Sequence, residues 1–130
     1  MQEVYEFLKK CGTYFIATVD GDQPRVRPFG TINIFEDKLY IQTGKTKPCF
    51  QQMLANPKVE LCAFNAGTWL RLAGTLVPDE RVEPQADMLE HYPELKGRYA
   101  PNDGVNVVLY VKDATATFSS FTAPEKVVKF

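Results

Sequence analysis

The usual catalytic and metal-binding side chains are scarce in this sequence. Its 130 residues hold one histidine, one tryptophan and three cysteines. Cys11, Cys49 and Cys62 form no CxxC pair, so zinc-ligand spacing is missing and we expect no metal. An odd number of scattered cysteines is expected of reduced thiols in a cytosolic protein. His91 has only Asp87 and Glu90 as acidic companions on its expected helix, too few for a metal site or a catalytic base, and reads as a helix-end surface residue. No apolar run approaches the ~20 residues of a membrane span. Glu3, Glu6, Lys9 and Lys10 occupy the start, where a secretory leader needs apolar residues. Net charge is also nearly absent: 15 basic and 16 acidic residues leave −1, without the basic footprint of a nucleic-acid binder. The expectation is a cytoplasmic protein with neither nucleic acid nor membrane as partner.

Repeats, low-complexity tracts and linkers are missing as well, which leaves one domain over residues 1–130. What is present reads as strands with three helices. Met1, Val4, Phe7, Leu8 and Cys11 recur at helical spacing, and Gly12 is placed to end that helix. Strands are expected over 13–19 and 24–35, joined at the hairpin signal Asp20-Gly21-Asp22. Pro24, Pro28 and Gly30 mark the second as an edge strand, a bulged one, or one whose backbone is left free for a ligand. A third strand, 39–43, leads to the basic loop 44–47 and a short helix opened by Pro48 and closed at Asn56-Pro57. Strands 59–64 and 68–77 follow, then a polar loop with a helix carrying Ala86, Met88 and Leu89. Two closing strands, 105–111 and 114–121, are expected to turn at Lys112-Asp113. Without strand–helix–strand alternation, this pattern predicts a small antiparallel barrel that is mainly β with added helices.

Functional chemistry concentrates between Pro24 and Pro57. Arg25 and Arg27 lie two apart on a strand and so leave one face, each with a planar donor fork suited to phosphate. Lys45, Thr46 and Lys47 stand at a helix start, where free N–H groups and the helix dipole favour an anion. Either these cations converge on a phosphate or they are a solvated polar turn. The loop is not a Walker motif, because the GxxxxGK[ST] spacing is absent. On the fifth strand the apolar set goes inward and leaves Trp69 and Arg71 pointing outward together. That pair fits a subunit interface, a flat ligand, or a Trp tucked under a loop beside a solvated Arg. Cys49, at a helix start beside lysines, is either a reactive thiol or simple packing.

The order of motifs resembles the pyridoxamine 5′-phosphate oxidase-like flavoproteins, in particular their short single-domain members. Those motifs are Arg25-Val26-Arg27-Pro28-Phe29-Gly30, a strand ending in Thr43, the Lys45-Thr46-Lys47 loop, the helix ending Asn56-Pro57, and Trp69-x-Arg71-x-x-Gly74. The resemblance runs from about Thr13 to Phe121. It implies a six-stranded antiparallel split β-barrel of the FMN-binding type, a homodimer, and FMN in the cleft between subunits. It assigns Arg27 to the flavin phosphate side, with Arg25 near it, and sets Val26, Pro28 and Phe29 along the isoalloxazine. Thr43 would lie beneath the ribityl chain, Lys45, Thr46 and Lys47 at the phosphate, and Trp69 and Arg71 would come from the second subunit. Asn33 would reach the flavin edge. The final Thr122–Phe130 segment lacks the Trp and Arg-x-x-Pro element of the family's true oxidases, which argues against pyridoxal phosphate synthesis. Within the family, the expectation is an FMN-dependent oxidoreductase of flavin-reductase or nitroreductase type, taking a small-molecule substrate and NAD(P)H. Since a flavin supplies the redox chemistry itself, the chain needs no nucleophile or acid–base pair, and its catalytic residues stay unassigned. The alternative is a non-enzymatic protein that stores or senses flavin, or that holds haem or a deazaflavin.

Overall fold

The computed structural model describes residues 1–130. Helix α1 (Gln2–Cys11) buries Val4 and Leu8 and ends at Gly12, whose φ of 76° lets its N–H return to the Leu8 carbonyl at 3.0 Å. Burying those two side chains contributes about 2 kcal/mol each, and they hold the helix on the sheet. Strands β1 (Tyr14–Asp20) and β2 (Gln23–Phe29) form the expected hairpin, followed by β3 (Asn33–Phe35) and β4 (Lys38–Gly44). Helix α2 (Pro48–Ala55) buries Cys49, Phe50 and Met53. Then come β5 (Lys58–Asn65), β6 (Thr68–Asp79), helix α3 (Val82–His91), a 3-10 turn (Pro93–Gly97), β7 (Asn106–Ser120) and β8 (Lys126–Lys129).

All strand pairs are antiparallel, in the order β2-β1-β5-β6-β7-β4-β3, with β8 beside β7. The two edge strands β2 and β3 are consecutive in the chain, separated only by Gly30–Ile32. From Phe29 to Asn33 the chain spans at most about 14 Å. The sheet must therefore curl until its edges face each other without bonding, which is a split barrel. Val4, Leu8, Tyr14, Ile41, Phe50 and Leu72 belong to the single large core it encloses. A smaller cluster of Tyr40, Met88 and Val108 seats α3 on the sheet.

Eight strands form where the sequence pattern marks seven and the resemblance implies a six-stranded barrel, for local reasons. The 24–35 strand breaks at Gly30–Ile32, where the backbone leaves the ladder and bonds side chains instead. Tyr14 donates its hydroxyl to the Thr31 carbonyl at 2.6 Å, and Tyr92 accepts from Ile32 N–H and donates to its carbonyl, each at 3.0 Å. Burial pushes the Tyr14 phenol well above its ordinary pKa, so it stays a donor. The C-terminal segment, where no strand was expected, returns as β8 to pair with β7. The expected turn at Lys112-Asp113 is instead a bulge within one long strand. Asp113 has φ 53°, and the β6–β7 register shifts between Ala73 and Thr75. Gly74 permits that bulge: a Cβ there would stand 2.5 Å from Val111 Cγ1. Prolines in β2 are tolerated because the strand pairs only with β1.

Candidate functional site

The split leaves a cleft of about 300 Å³, the low end of the usual ligand-pocket range. Arg27, Pro28 and Phe29 of β2, with Gly30 and Thr31, form one side, and Gln42 and Thr43 of β4 another. Lys47 and Cys49 stand at the start of α2, and Tyr92, Glu94 and Leu95 complete the lining.

Arg27 is the most elaborately held of these. Strand alternation aims it at the face shared with Ile16 and Thr18, its ladder neighbourhood. There Nη1 donates to Thr18 Oγ1 at 2.7 Å and to the Ile16 carbonyl at 3.2 Å, while Nη2 donates to Gln52 Oε1 on α2 at 2.6 Å. The hydroxyl of Thr18 also donates to Gln52 Oε1, closing a three-residue brace. Arg27 Nε has no partner within the chain and is free for an anion. Lys47, the N-cap residue of α2, makes no ion pair. Two unneutralised cations from different elements thus share one cleft.

Around them the walls are fixed. Thr31 Oγ1 accepts from Gln42 N–H at 3.1 Å, and Thr43 Oγ1 lies 3.5 Å from the buried Cys49 sulfur. Gln42 is 7% exposed; its side-chain amide donates to the Thr43 carbonyl and to Asn106 Oδ1, and the Asn106 amide nitrogen is the buried side-chain group left without a partner. The phenolic oxygen of Tyr92, already bonded to Ile32, also accepts from Lys9 Nζ at 3.2 Å. The basic loop begins with Gly44 because the Tyr99 hydroxyl covers it, 2.9 Å from where a Cβ would sit.

Of the residues expected at the site, Arg27, Pro28, Phe29, Thr43 and Lys47 line this cleft. The others lie elsewhere in the chain. Arg25 turns back to Asp20 at 3.1 Å on the surface, and Lys45 is drawn to Glu80 at 3.0 Å. Thr46 is exposed in its loop. Asn33 is buried and donates its amide to the Asp87 carboxylate on α3, away from the cleft lining. Val26 is 68% exposed on the opposite face of the sheet. Trp69 and Arg71 lie on that outer face, and the Trp69 ring stands 5.2 Å from Phe121. Phe121 is itself 93% exposed. His91 is exposed, with Nδ1 2.8 Å from the Asp87 carbonyl, and does not line the cleft.

Sequence reading missed Thr31, Gln42, Glu94 and Leu95 as cleft residues and favoured the core over a pocket wall for Tyr92. Gln42 precedes Thr43 on the expected strand, so only its neighbour flagged it. Tyr92, Glu94 and Leu95 arrive from 50 residues further on, through a turn whose path no local pattern reveals.

An open split barrel with a cationic cleft at its seam defines the structural class, and the comparisons agree. The family model described as pyridoxamine 5′-phosphate oxidase matches residues 1–119. The chain belongs to that family. A NimC/NimA family protein from Clostridium acetobutylicum is 44% identical, with a TM-score of 0.96 over 100% of this chain and 92% of its own. General Stress Protein 26 from Bacillus anthracis superposes with a TM-score of 0.77 at 16% identity, covering 99% of this chain and 98% of its own. A pyridoxamine 5′-phosphate oxidase-related, FMN-binding protein from Nostoc punctiforme gives 0.63 at 16% identity, covering 97% and 90%. No curated protein sequence matches this chain significantly.

Proposed function

We propose that this protein binds FMN in the seam cleft and acts as an FMN-dependent oxidoreductase on a small-molecule acceptor, as a homodimer. The observation that carries the reading is the meeting of Arg27 and Lys47, both with free donors, beside the flat apolar surface of Pro28 and Phe29. The cations suit a phosphate and the apolar strip a planar ring. Thr43 adds a hydroxyl to the lining. The FMN-binding relative from Nostoc punctiforme supports the choice of cofactor. The bound flavin would supply hydride and electron transfer, while the chain orients it and excludes water.

Two features support the dimer. The cleft is small for a whole cofactor, so a second copy would complete it. The outer face of β2-β1-β5-β6 is an exposed apolar surface with no cover: Phe15, Val26 and Phe64 are 52%, 68% and 64% exposed, beside Trp69 and Phe121. Such a contiguous patch marks an interface. The Trp69–Arg71 pair is carried on that face, where a partner would meet it.

The test is anaerobic reduction of the FMN-loaded protein by NADH or NADPH, followed by a quinone or nitroaromatic acceptor. Bleaching and recovery of the flavin bands is the expected result. A flavin that neither nicotinamide reduces would replace the enzyme with a storage or sensing protein.

A further inference from the structure

Beside the seam cleft lies a second concavity of about 590 Å³, between the turn of the β1–β2 hairpin and one face of α2. Asp20 stands on its hairpin side, with Gln51 and Gln52 of α2 and the C-cap residue Asn56 opposite. The two cavities share a wall, because Gln52 lines the groove while its Oε1 holds the cleft's Arg27. Each of the three amides has one half spent inside the chain, and the partner fixes which half. Gln51 donates Nε2 to the Lys45 carbonyl at 3.2 Å, which leaves Oε1 as a free acceptor. Gln52 Oε1 accepts from Arg27 and Thr18, so its Nε2 is a free donor. Asn56 Oδ1 accepts from the Lys58 N–H at 3.1 Å, so its Nδ2 is another. Both nitrogens reach solvent, since the buried side-chain nitrogen without a partner is that of Asn106. Asp20 holds Arg25 Nε through Oδ2 at 3.1 Å, which leaves Asp20 Oδ1 and both terminal nitrogens of Arg25 open.

We propose that this groove is an adenylate site, which binds adenosine carrying a 5′-phosphate. Side-chain amides read base edges by matching donors to acceptors. Two free donors and one free acceptor match adenine, which offers several ring-nitrogen acceptors and one amino donor. Guanine, with two adjacent N–H-bearing groups on one edge, does not fit that count. Val19, Pro48 and Ala55 supply apolar surface for the base. The Arg25 fork suits the phosphate, and Asp20 Oδ1 suits a ribose hydroxyl. Two carriers present this group, a reduced nicotinamide dinucleotide and a flavin dinucleotide. The inference deepens the proposed function by giving the reductant a site beside the flavin cleft, and it rests on that reading only for the choice of carrier.

The experiment follows backbone amide shifts in NMR titrations of AMP, adenosine and GMP into the FMN-loaded protein. AMP should shift Gly21, Gln51 and Ala55 and bind about tenfold tighter than GMP. Asn56→Asp keeps the oxygen that the Lys58 N–H uses and replaces the free donor by an acceptor. It should weaken AMP about tenfold while FMN stays bound. Arg25→Gln should weaken AMP about tenfold and leave adenosine within about threefold. Displacement of AMP by NADH identifies the reductant as the carrier, and displacement by FAD alone, from flavin-free protein, identifies a flavin dinucleotide. Shifts that spare the groove, equal binding of AMP and GMP, or an AMP affinity unmoved by both substitutions would each overturn the proposal. The same titration on flavin-free protein, with inorganic phosphate present, separates the two readings. A protein that takes up no FMN yet prefers AMP in this groove loses the flavin and keeps the adenylate site.

Discussion

Arg27 and Gln52 are joined by a 2.6 Å hydrogen bond from Nη2 to Oε1, which ties the edge strand β2 to helix α2 across the cleft wall. The guanidinium is thereby oriented before any ligand arrives, with its Nε left free. Pre-orientation of this kind lowers the entropy cost of gripping an anion. Gln52→Ala removes the brace and keeps the charge, so FMN affinity should fall about tenfold, and less than in Arg27→Ala. Fluorescence titration of FMN into both variants checks the order; equal losses would show that charge alone matters.

The two lysines of the basic loop should differ. Lys47 lines the cleft unpaired, whereas Lys45 is engaged by Glu80. Lys47→Ala should weaken FMN binding by about tenfold, while Lys45→Ala should stay within about threefold of the parent. Phosphate-competition titrations of the two variants measure this directly.

At the other end of the sheet, Arg81 donates to Asp79 through Nε at 3.0 Å and through Nη2 at 2.9 Å, and Tyr40 adds its hydroxyl at 2.7 Å. These bonds, Arg81's first, hold the Asp79 carboxyl down at about 2 although burial pushes it up. A depressed carboxyl contributes stability that is present above its unfolded value near 4 and is lost as pH falls through 2. Between those values the native protein should lose about 2 kcal/mol from this group. Asp79→Asn should flatten that part of the stability-versus-pH curve in urea unfolding; an unchanged acid limb would contradict it.

Gly74→Ala places a methyl against Val111 and the Lys112 carbonyl at the β6–β7 bulge. Overpacking there should cost about 1–3 kcal/mol without altering the cleft, visible as a lower melting temperature with FMN affinity retained.

If the protein is the proposed dimer, a charge on the outer face should separate its two copies. Phe64→Asp lies beside Trp69 in the β5–β6 register and far from the cleft lining. Light scattering should report a dimer for the parent and a monomer for the variant, with weaker FMN retention if the second copy completes the site. A parent that is monomeric would remove the dimer.

Much of the barrel was legible because its signals are local. Asp20-Gly21 makes a turn wherever it falls between β-formers, and the alternation of Trp69, Arg71 and Leu70, Leu72 decides which set goes inward. Gly12, Pro48 and Asn56-Pro57 bound their helices by backbone geometry that needs no neighbours. Lys112-Asp113 failed for the opposite reason. A polar pair with a positive φ serves a bulge as well as a turn, and only pairing with β6 around Gly74 decides between them. The site was half legible on the same principle. Alternation put Arg25 and Arg27 on one face, but Arg25 and Lys45 are captured by Asp20 and Glu80, partners that spacing alone does not select. Tyr92 and Glu94 reach the cleft by tertiary folding, so no local motif announces them.

FMN uptake by the purified protein, followed by absorbance and equilibrium dialysis, tests the cleft most directly. One FMN per chain should bind with flavin bands, and Arg27→Ala with Lys47→Ala together should abolish uptake while the fold survives by circular dichroism. A folded protein that takes up no FMN, or that binds it equally well without both cations, would contradict the assignment of this cleft to a flavin phosphate.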